Sequence, residues 1–159
     1  MKCSVRPMEE GDIDALLFLA ANIPEAPHWS RTDYEHCIGK DKDTGLCRIG
    51  YIAESEGGLS GFAIAKLVAG VCELESIAVV EEIRGQGIGI SLMKSIANWA
   101  QSMGGIRLEL EVRASNTRAI RFYERFGMRR EGLRRGYYHS PGEDAVLMGM
   151  PLIPSGKIG

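Results

Sequence analysis

The chain has 159 residues and a mass of 17.4 kDa, of which 45% are apolar and 25% charged, with a formal net charge of −2. Cores rarely divide below about 250 residues, so we predict a single domain over residues 1–153 and a short flexible tail over residues 154–159. A net charge this close to zero argues against nucleic-acid binding through the overall electrostatic field of the protein. No apolar run approaches the ~18–20 residues of a membrane helix, so we expect a soluble cytoplasmic protein with no membrane partner.

The cysteines and histidines predict no metal site. The four cysteines are spaced irregularly, no CxxC pair occurs, and the three histidines form no HxxxH pattern, which are the spacings that zinc sites use. We expect four reduced thiols, most of them packed in the fold.

The first half of the chain predicts two helices and four strands. A short strand at Ser4–Arg6 stops at Pro7, and apolar residues recur at helical spacing after Glu9. Ser30 and Asp33 have the spacing of a capping box, which opens a second short helix. Three strands follow, the first two joined as a hairpin, over Cys47–Ala53, Gly61–Val68 and Val71–Val79.

The second half predicts two helices separated and followed by strands. One helix runs from about Gly87 to Met103, and the other runs from about Thr117 to Phe126 and ends at Gly127. Between them, residues 106–112 alternate between apolar and charged side chains, as in a strand with one buried face. Two final strands lie near Met128–Leu133 and Ala145–Met150. These elements predict an α+β layer with a mixed sheet.

The most informative segment is a glycine-rich loop between a strand and a helix, Arg84-Gly85-Gln86-Gly87-Ile88-Gly89. Glycines let backbone N–H groups converge, and a helix start carries a partial positive charge, so a phosphate or pyrophosphate fits there. A tight turn that only permits close packing is the alternative. The P-loop string GxxxxGK[ST] is absent, and Ile90 stands where GxGxxG needs its last glycine.

This loop resembles the [Q/R]xxGx[G/A] loop of the GCN5-related N-acetyltransferase (GNAT) family, which binds the pyrophosphate of acetyl-CoA. Other stretches are similar to the branch of that family that acetylates protein N-termini, the bacterial ribosomal-protein-alanine type: Ala26–Ser30, Glu111–Asn116, Ala119–Ile120, Phe122–Glu124, Gly127–Met128, Arg134–Tyr138, Glu143–Ala145 and Met148. The resemblance implies a GNAT-like α+β fold. Its sheet is expected to be mixed and mostly antiparallel, with about six to seven strands and about four helices on its two faces.

The resemblance also implies acetyl-CoA as cosubstrate, with no metal. Asn116 would hold the pantetheine arm, although its position also suits a helix N-cap. Arg84 would meet a phosphate or lie on the solvated surface. The residues expected to contact acetyl-CoA are Ile77, Ala78, Val79, Arg84, Gly85, Gln86, Gly87, Ile88, Gly89 and Asn116.

Acetyl transfer to an amine needs a proton acceptor, for which the resemblance implies Glu111. Glu111 lies near the end of the alternating strand, on its polar face. Glu73 on the preceding strand is the rival, because other branches of the family use that position, and Glu75 shares its face. A solvated strand glutamate, as we expect for Glu109, is the structural alternative.

The departing thiolate needs a proton donor, and we choose Tyr123. Its phenol has an ordinary pKa of ~10 and can protonate a thiolate whose conjugate acid has a pKa of ~8.5. The alternative is a core aromatic, since Ile120 and Gly127 share its helical stripe. Trp29, Glu73 and Tyr138 are the candidates for binding the acceptor substrate. For Trp29 the alternative is a purely structural role, in which its ring covers the core.

The predicted reaction is direct attack of a primary amine on acetyl-CoA. The amine is predicted to be a protein N-terminus, such as that of a ribosomal protein. An α-amino group has a pKa of ~7.7–8.0 against ~10.4 for lysine, so it is more easily neutral. A lysine side chain, a small-molecule amine and a non-catalytic CoA-binding regulatory module stay open. Nucleic-acid binding would rest only on four arginines between residues 129 and 135, so we expect no direct nucleic-acid role. We expect a monomer or weak homodimer.

Overall fold

The computed structural model describes residues 3–23, 29–38, 47–80, 84–85, 87–139 and 142–153. Within these ranges the chain forms seven strands, four α-helices and a 3-10 turn at Glu10–Asp12. The elements are β1 (Ser4–Pro7), α1 (Ile13–Ala21), α2 (Arg31–Glu35), β2 (Cys47–Ser55), β3 (Gly58–Val68), β4 (Val71–Val79), α3 (Ile88–Ser102), β5 (Arg107–Arg113), α4 (Thr117–Phe126), β6 (Arg129–Tyr138) and β7 (Glu143–Pro151). The predicted tail lies outside the described residues.

The seven strands form one sheet in the order β1-β2-β3-β4-β5-β7-β6. Every neighbouring pair is antiparallel except β4 and β5, which are parallel. The predicted α+β fold, with a mixed and mostly antiparallel sheet and helices on both faces, is confirmed. β6 is longer than predicted and reaches Tyr138, because pairing with β7 resumes after an irregularity beyond Arg134.

Two local helix signals read from the sequence are also confirmed. The capping box at the start of α2 is formed, with Ser30 Oγ accepting from Asp33 N at 3.3 Å and Asp33 Oδ2 accepting from Ser30 N at 2.8 Å. Gly127 ends α4 with φ +117°, a left-handed conformation that favours glycine at a helix end.

The sheet splits at its centre, between β4 and β5. These strands pair only over their first residues, ending with Glu73 opposite Glu109, and diverge beyond that point. β4 is also bulged: Leu74 and Ser76 face consecutive residues of β3, so Glu75 is the extra residue. A bulge bends a strand and increases its twist. A gap therefore lies between residues 74–79 of β4 and the end of β5.

The bulge changes which side chains of β4 face each side of the sheet. Leu74 before the bulge and Ile77 after it pack in the same hydrophobic cluster, under α3 and α4. Strict alternation would place them on opposite faces. Ala78 instead belongs to the second cluster, under α1 and α2.

The two clusters leave part of the sheet uncovered. α3 and α4 cover one face. On the other face, the buried side chains under α1 and α2 come from β2, β3 and β4, and none comes from β5, β6 or β7 among the described residues. The polar face of β5 is therefore open beside the gap.

The described cysteines form no disulfide, as expected. Cys37 and Cys72 are buried, and burial raises the pKa of each thiol to about 12. Neither is available as a thiolate nucleophile at neutral pH. No described helix is long and apolar enough to cross a bilayer, and within the same ranges no three His, Cys, Asp or Glu side chains cluster as metal ligands.

Candidate active site

The gap exposes backbone groups of β4. Val80 N donates to Ser60 O at 2.9 Å, and the direction of backbone groups alternates along an antiparallel ladder. Val79 and Ile77 therefore turn their N–H and C=O groups away from β3 and into the gap. Ala78, between them, turns its backbone groups toward β3. Two of the three predicted backbone donors thus face the gap.

The glycine-rich loop joins β4 to α3 beside this gap. Arg84 Nε donates to the carbonyl of Val79 at 3.0 Å, which holds the end of the strand. Gly85 and Gly87 have φ of +86° and +81°, a region costly for other residues. Gly87 is the N-cap of α3. No described side chain caps the N–H groups of the first turn of α3, and no acidic residue lies in that turn. The first N–H groups of α3 are therefore available to an anion. The predicted contact Gln86 lies outside the described residues.

The start of α3 packs closely against α4. A Cβ added at Gly89 would stand 3.0 Å from the ring of Phe122, so a glycine permits this approach. Ile88, beside Gly89, is buried. Asn116 is the N-cap of α4, and its Oδ1 accepts from Ala119 N at 3.2 Å. The N-cap alternative for Asn116 is thus confirmed, and its predicted role at acetyl-CoA stays a prediction.

A polar cleft of about 260 Å³ opens on the uncovered face. It contains four carboxylates and one guanidinium, from Glu73, Glu109, Glu111, Glu131 and Arg134, together with Leu110, Leu147 and Met148. The structure therefore brings both candidate bases into one site. An excess of carboxylates favours a cationic or amine ligand.

Glu111 is the most enclosed of the three cleft glutamates on β4 and β5. Its side chain is 23% exposed, against 44% for Glu73 and 45% for Glu109. Arg134 Nη1 donates to Glu111 Oε1 at 2.8 Å. Tyr137 donates to the same carboxylate, and this hydrogen bond is the main cause that raises the pKa of Tyr137. Two side chains of β6 therefore hold the Glu111 carboxylate in place.

The other cleft glutamates pair differently. Glu73 Oε2 lies 3.4 Å from Lys66 Nζ, and Glu109 Oε1 accepts from Arg107 Nε at 3.1 Å. Glu75 turns to a separate pocket, where its carboxylate pairs with a β2 arginine at 2.9 Å. Among the contacts of the described residues, Glu111 alone of these glutamates has both a cation and a phenol as partners.

Tyr123 lies on the α3–α4 side of the sheet. It is 8% exposed, and its ring meets Phe122 at a centroid distance of 5.3 Å. Burial raises the pKa of Tyr123, and Tyr138 adds to this shift. The phenol therefore stays protonated at neutral pH, as a proton donor must. Tyr138 interacts electrostatically with both Tyr123 and Glu111.

Sequence reasoning missed Tyr137, which contacts Glu111 directly. In a regular strand Tyr137 and Tyr138 would point to opposite faces. β6 bulges between Arg134 and Tyr138, where three of its residues face one residue of β7, and Gly136 adopts φ +63°. A bulge can re-aim a side chain. Gly136 is the sequence signal that could have indicated it.

The structure does not bring Trp29 into the cleft that holds Glu111. Trp29 lines a second pocket of about 220 Å³ with Asp33, Arg48 and Glu75. Its ring contacts Tyr34 at a centroid distance of 5.5 Å. The residues before it that carried part of the resemblance, 26–28, lie outside the described ranges.

The site as a whole has the parts that acyl transfer needs. A split in the sheet exposes β4 donors beside a helix start that can bind phosphate, and a carboxylate and a protonated phenol stand near the same tyrosine, Tyr138. These features are the ones expected of an acyltransferase that uses a phosphate-bearing thioester.

Comparison with known proteins agrees with this class. The model of the Acetyltransferase (GNAT) family matches residues 13–128. A Bacillus subtilis (strain 168) protein, provisionally named a [ribosomal protein bS18]-alanine N-acetyltransferase, is 32% identical over 92% of this chain and 94% of its own length. The [ribosomal protein bS18]-alanine N-acetyltransferase of Escherichia coli (strain K12) is 37% identical over 60% of this chain and 66% of that protein.

A solved structure supports the same assignment. The crystal structure of the ribosomal-protein-S18-alanine N-acetyltransferase from Escherichia coli superposes with a TM-score of 0.82, at 28% identity, over 99% of both chains. This chain belongs to the GNAT acetyltransferase family, and it is an acetyl-CoA-dependent N-acetyltransferase.

Proposed function

We propose that this enzyme acetylates the α-amino group of a protein N-terminus, by direct attack in a ternary complex with acetyl-CoA. The observation that carries the proposal is the Glu111 carboxylate, held by Arg134 and Tyr137 in an acidic cleft beside the split in the sheet. A carboxylate is a weak base, which suffices for an amine that is already partly neutral at pH 7. The relatives named above are named as [ribosomal protein bS18]-alanine N-acetyltransferases, provisionally so for the Bacillus subtilis protein, which favours the same class of acceptor here.

Acetyl-CoA would bind along β4 and the starts of α3 and α4. The N–H groups at Gly87, Ile88 and Gly89 would receive the pyrophosphate, because no side chain of the described residues caps them and they lie at the positive end of a helix. The gap-facing N–H groups of Ile77 and Val79 would bind the pantetheine arm and the thioester oxygen, where negative charge develops during attack.

The proposed proton transfers assign one role to each of the two groups. The amine nitrogen forms a bond to the thioester carbon, and the carbon–sulfur bond then breaks. Glu111 accepts the proton lost by the amine, directly or through one water, and Tyr123 donates its phenolic proton to the sulfur. The products are an amide and the free thiol of CoA, and solvent exchange returns both residues to their starting protonation. Glu73 is the alternative base, in the same cleft.

Acceptor contacts complete the proposal. Tyr138 and Glu73 would line the path of the peptide in the cleft, and Trp29 would bound it at the neighbouring pocket. A ribosomal acceptor would place the enzyme in the cytoplasm. We propose that it works as a monomer or weak homodimer, with a protein N-terminus as its partner.

The glycine-rich loop gives a test of the cofactor site. Gly87→Ala would put a side chain at φ +81°, a strain of about 1–2 kcal/mol. If relief of that strain tilts the first N–H groups of α3, the Kd for acetyl-CoA should rise about tenfold, the factor that 1.4 kcal/mol represents. Isothermal titration calorimetry measures it. Gly57→Ala is the control, because a Cβ there meets nothing within 4 Å and needs no positive φ; equal Kd values for both variants would contradict the assignment.

The acceptor is tested with two peptides and mass spectrometry. One peptide has a free N-terminal Ala or Ser and no lysine, and the other has a blocked N-terminus and one internal lysine. We expect acetylation of the first alone. We also expect kcat/KM for the first peptide to rise with pH up to about pH 8, as its amine, of pKa ~7.7–8.0, loses its proton.

Each other outcome of the peptide experiment has a definite meaning. Acetylation of the lysine peptide would overturn the proposed acceptor. Acetylation of neither, with acetyl-CoA still bound, would move the assignment to small amines or to a binding module without turnover.

A further inference from the structure

Two carboxylates at the start of β7 lie outside the catalytic groups named above. We call Glu143 and Asp144 the β7 clamp. Glu143 Oε2 accepts from Ser115 N at 2.6 Å, and Glu143 Oε1 accepts from Arg113 Nη1 at 3.4 Å. Hydrogen bonds from Ser115, followed by the ion pair with Arg113, lower the pKa of Glu143. Glu143 therefore stays ionised at neutral pH and holds the turn between β5 and α4.

Asp144 holds the bulge of β6. Its Oδ1 accepts from Gly136 N at 2.8 Å, and Gly136 is the residue with φ +63° inside the bulge. Its main-chain oxygen accepts from Ala114 N at 3.0 Å. One residue of β7 therefore ties the β6 bulge to the end of β5.

The groups that the clamp holds are next to the proposed proton-transfer residues. Gly136 precedes Tyr137, which donates to the Glu111 carboxylate. The guanidinium of Arg113 lies 4.3 Å from the ring centroid of Tyr138, which interacts electrostatically with both the proposed base and the proposed acid. Ser115 precedes Asn116, the cap of the helix that carries Tyr123.

We infer that Glu143 and Asp144 are positioning residues, which fix the proposed base Glu111 relative to the proposed acid Tyr123. The inference rests on the proposed function. The base and the acid belong to different elements. Glu143 contacts the turn that leads to the helix of Tyr123, and Asp144 contacts the bulge whose Tyr137 holds Glu111. Displacement of a reacting group by about 1 Å can cost about 100-fold in rate, so such a clamp acts on kcat.

The test compares alanine with conservative variants. Asp144→Ala and Glu143→Ala should each lower kcat at least about tenfold, while Asp144→Asn, which keeps an oxygen acceptor for Gly136 N, should recover most of the rate. Asp12→Ala is the matched control. Asp12 is 14% exposed against 18% for Glu143, pairs with an arginine at 2.8 Å and accepts a backbone N–H at 2.7 Å, remote from the site. Its kcat should stay within about twofold of wild type.

Two readouts separate positioning from loss of structure. The stoichiometry of acetyl-CoA binding, measured by calorimetry, gives kcat per folded molecule. The second readout repeats Asp144→Ala in a Glu111→Gln background. If Asp144 acts through Glu111, its effect should shrink below about twofold there, because groups that act as a unit are non-additive. An equal loss in both backgrounds, or no loss in wild type, would overturn the inference.

Failure of the proposed function gives a different result. If wild type acetylates only the lysine peptide, the acceptor is wrong, and the same cycle on that peptide still decides the clamp. If wild type transfers acetyl to neither peptide, the proposed acceptor is wrong, and the same cycle with a small-molecule amine as acceptor decides the clamp.

Discussion

Tyr123→Phe is expected to lower kcat by about 100-fold or more, the usual contribution of a positioned acid, while the Kd for acetyl-CoA stays within about twofold. The variant removes one hydroxyl from a side chain that is 8% exposed, so packing is preserved. Without the phenolic proton, the thiolate must leave unprotonated or take a proton from water. Single-turnover kinetics and calorimetry on the same preparation measure the two quantities.

A matched variant controls for the loss of a buried hydroxyl. Tyr34 is fully buried, and its hydroxyl has no hydrogen-bond partner in the described structure. Tyr34→Phe should keep kcat within about twofold and should not lower stability, because an unpaired buried hydroxyl costs about 1–3 kcal/mol. If Tyr123→Phe also keeps wild-type turnover, Tyr123 has no role in proton transfer and is a core residue only.

Glu111→Gln is expected to lower kcat by about 100-fold, within the range of 10²–10⁴ for a general base. Glutamine keeps the size and can still accept from Arg134, but its amide cannot take the proton of the amine. Initial rates with the N-terminal peptide, at saturating acetyl-CoA, measure the effect.

Two other glutamates of the cleft make this result specific. Glu109→Gln changes the same kind of side chain on the same face of β5, two residues away, and should keep kcat within about threefold. Glu73→Gln separates the rival bases: a loss larger than that of Glu111→Gln would transfer the role of the base to Glu73. Loss of similar size in all three variants would indicate that the cleft acts through its total charge.

Much of the local structure was predictable, because its signals are local. Gly127 needed a positive φ to end α4, and the bounds predicted for α4 and β4 agree with the structure. Ser30 and Asp33 satisfy each other within one turn, so their capping box does not depend on the rest of the fold. The glycine-rich loop is also a local signal, and the resemblance that begins with it indicated the family that the comparison then confirmed.

The tertiary structure decided which side chains meet. The bulge at Glu75 reverses the alternation of β4 and accompanies the split beside β5, and the bulge around Gly136 turns Tyr137 to Glu111. Alternation read from a sequence assumes an unbroken ladder, and one inserted residue exchanges the faces of everything after it. The position of Trp29 could not be read from the sequence either. Its pocket is formed by the packing of α2 on the sheet, which joins segments distant in the chain. The sequence by itself determined the elements, their caps and the family, whereas the arrangement of Glu111, Tyr137 and the β7 clamp depended on strand pairing between distant segments.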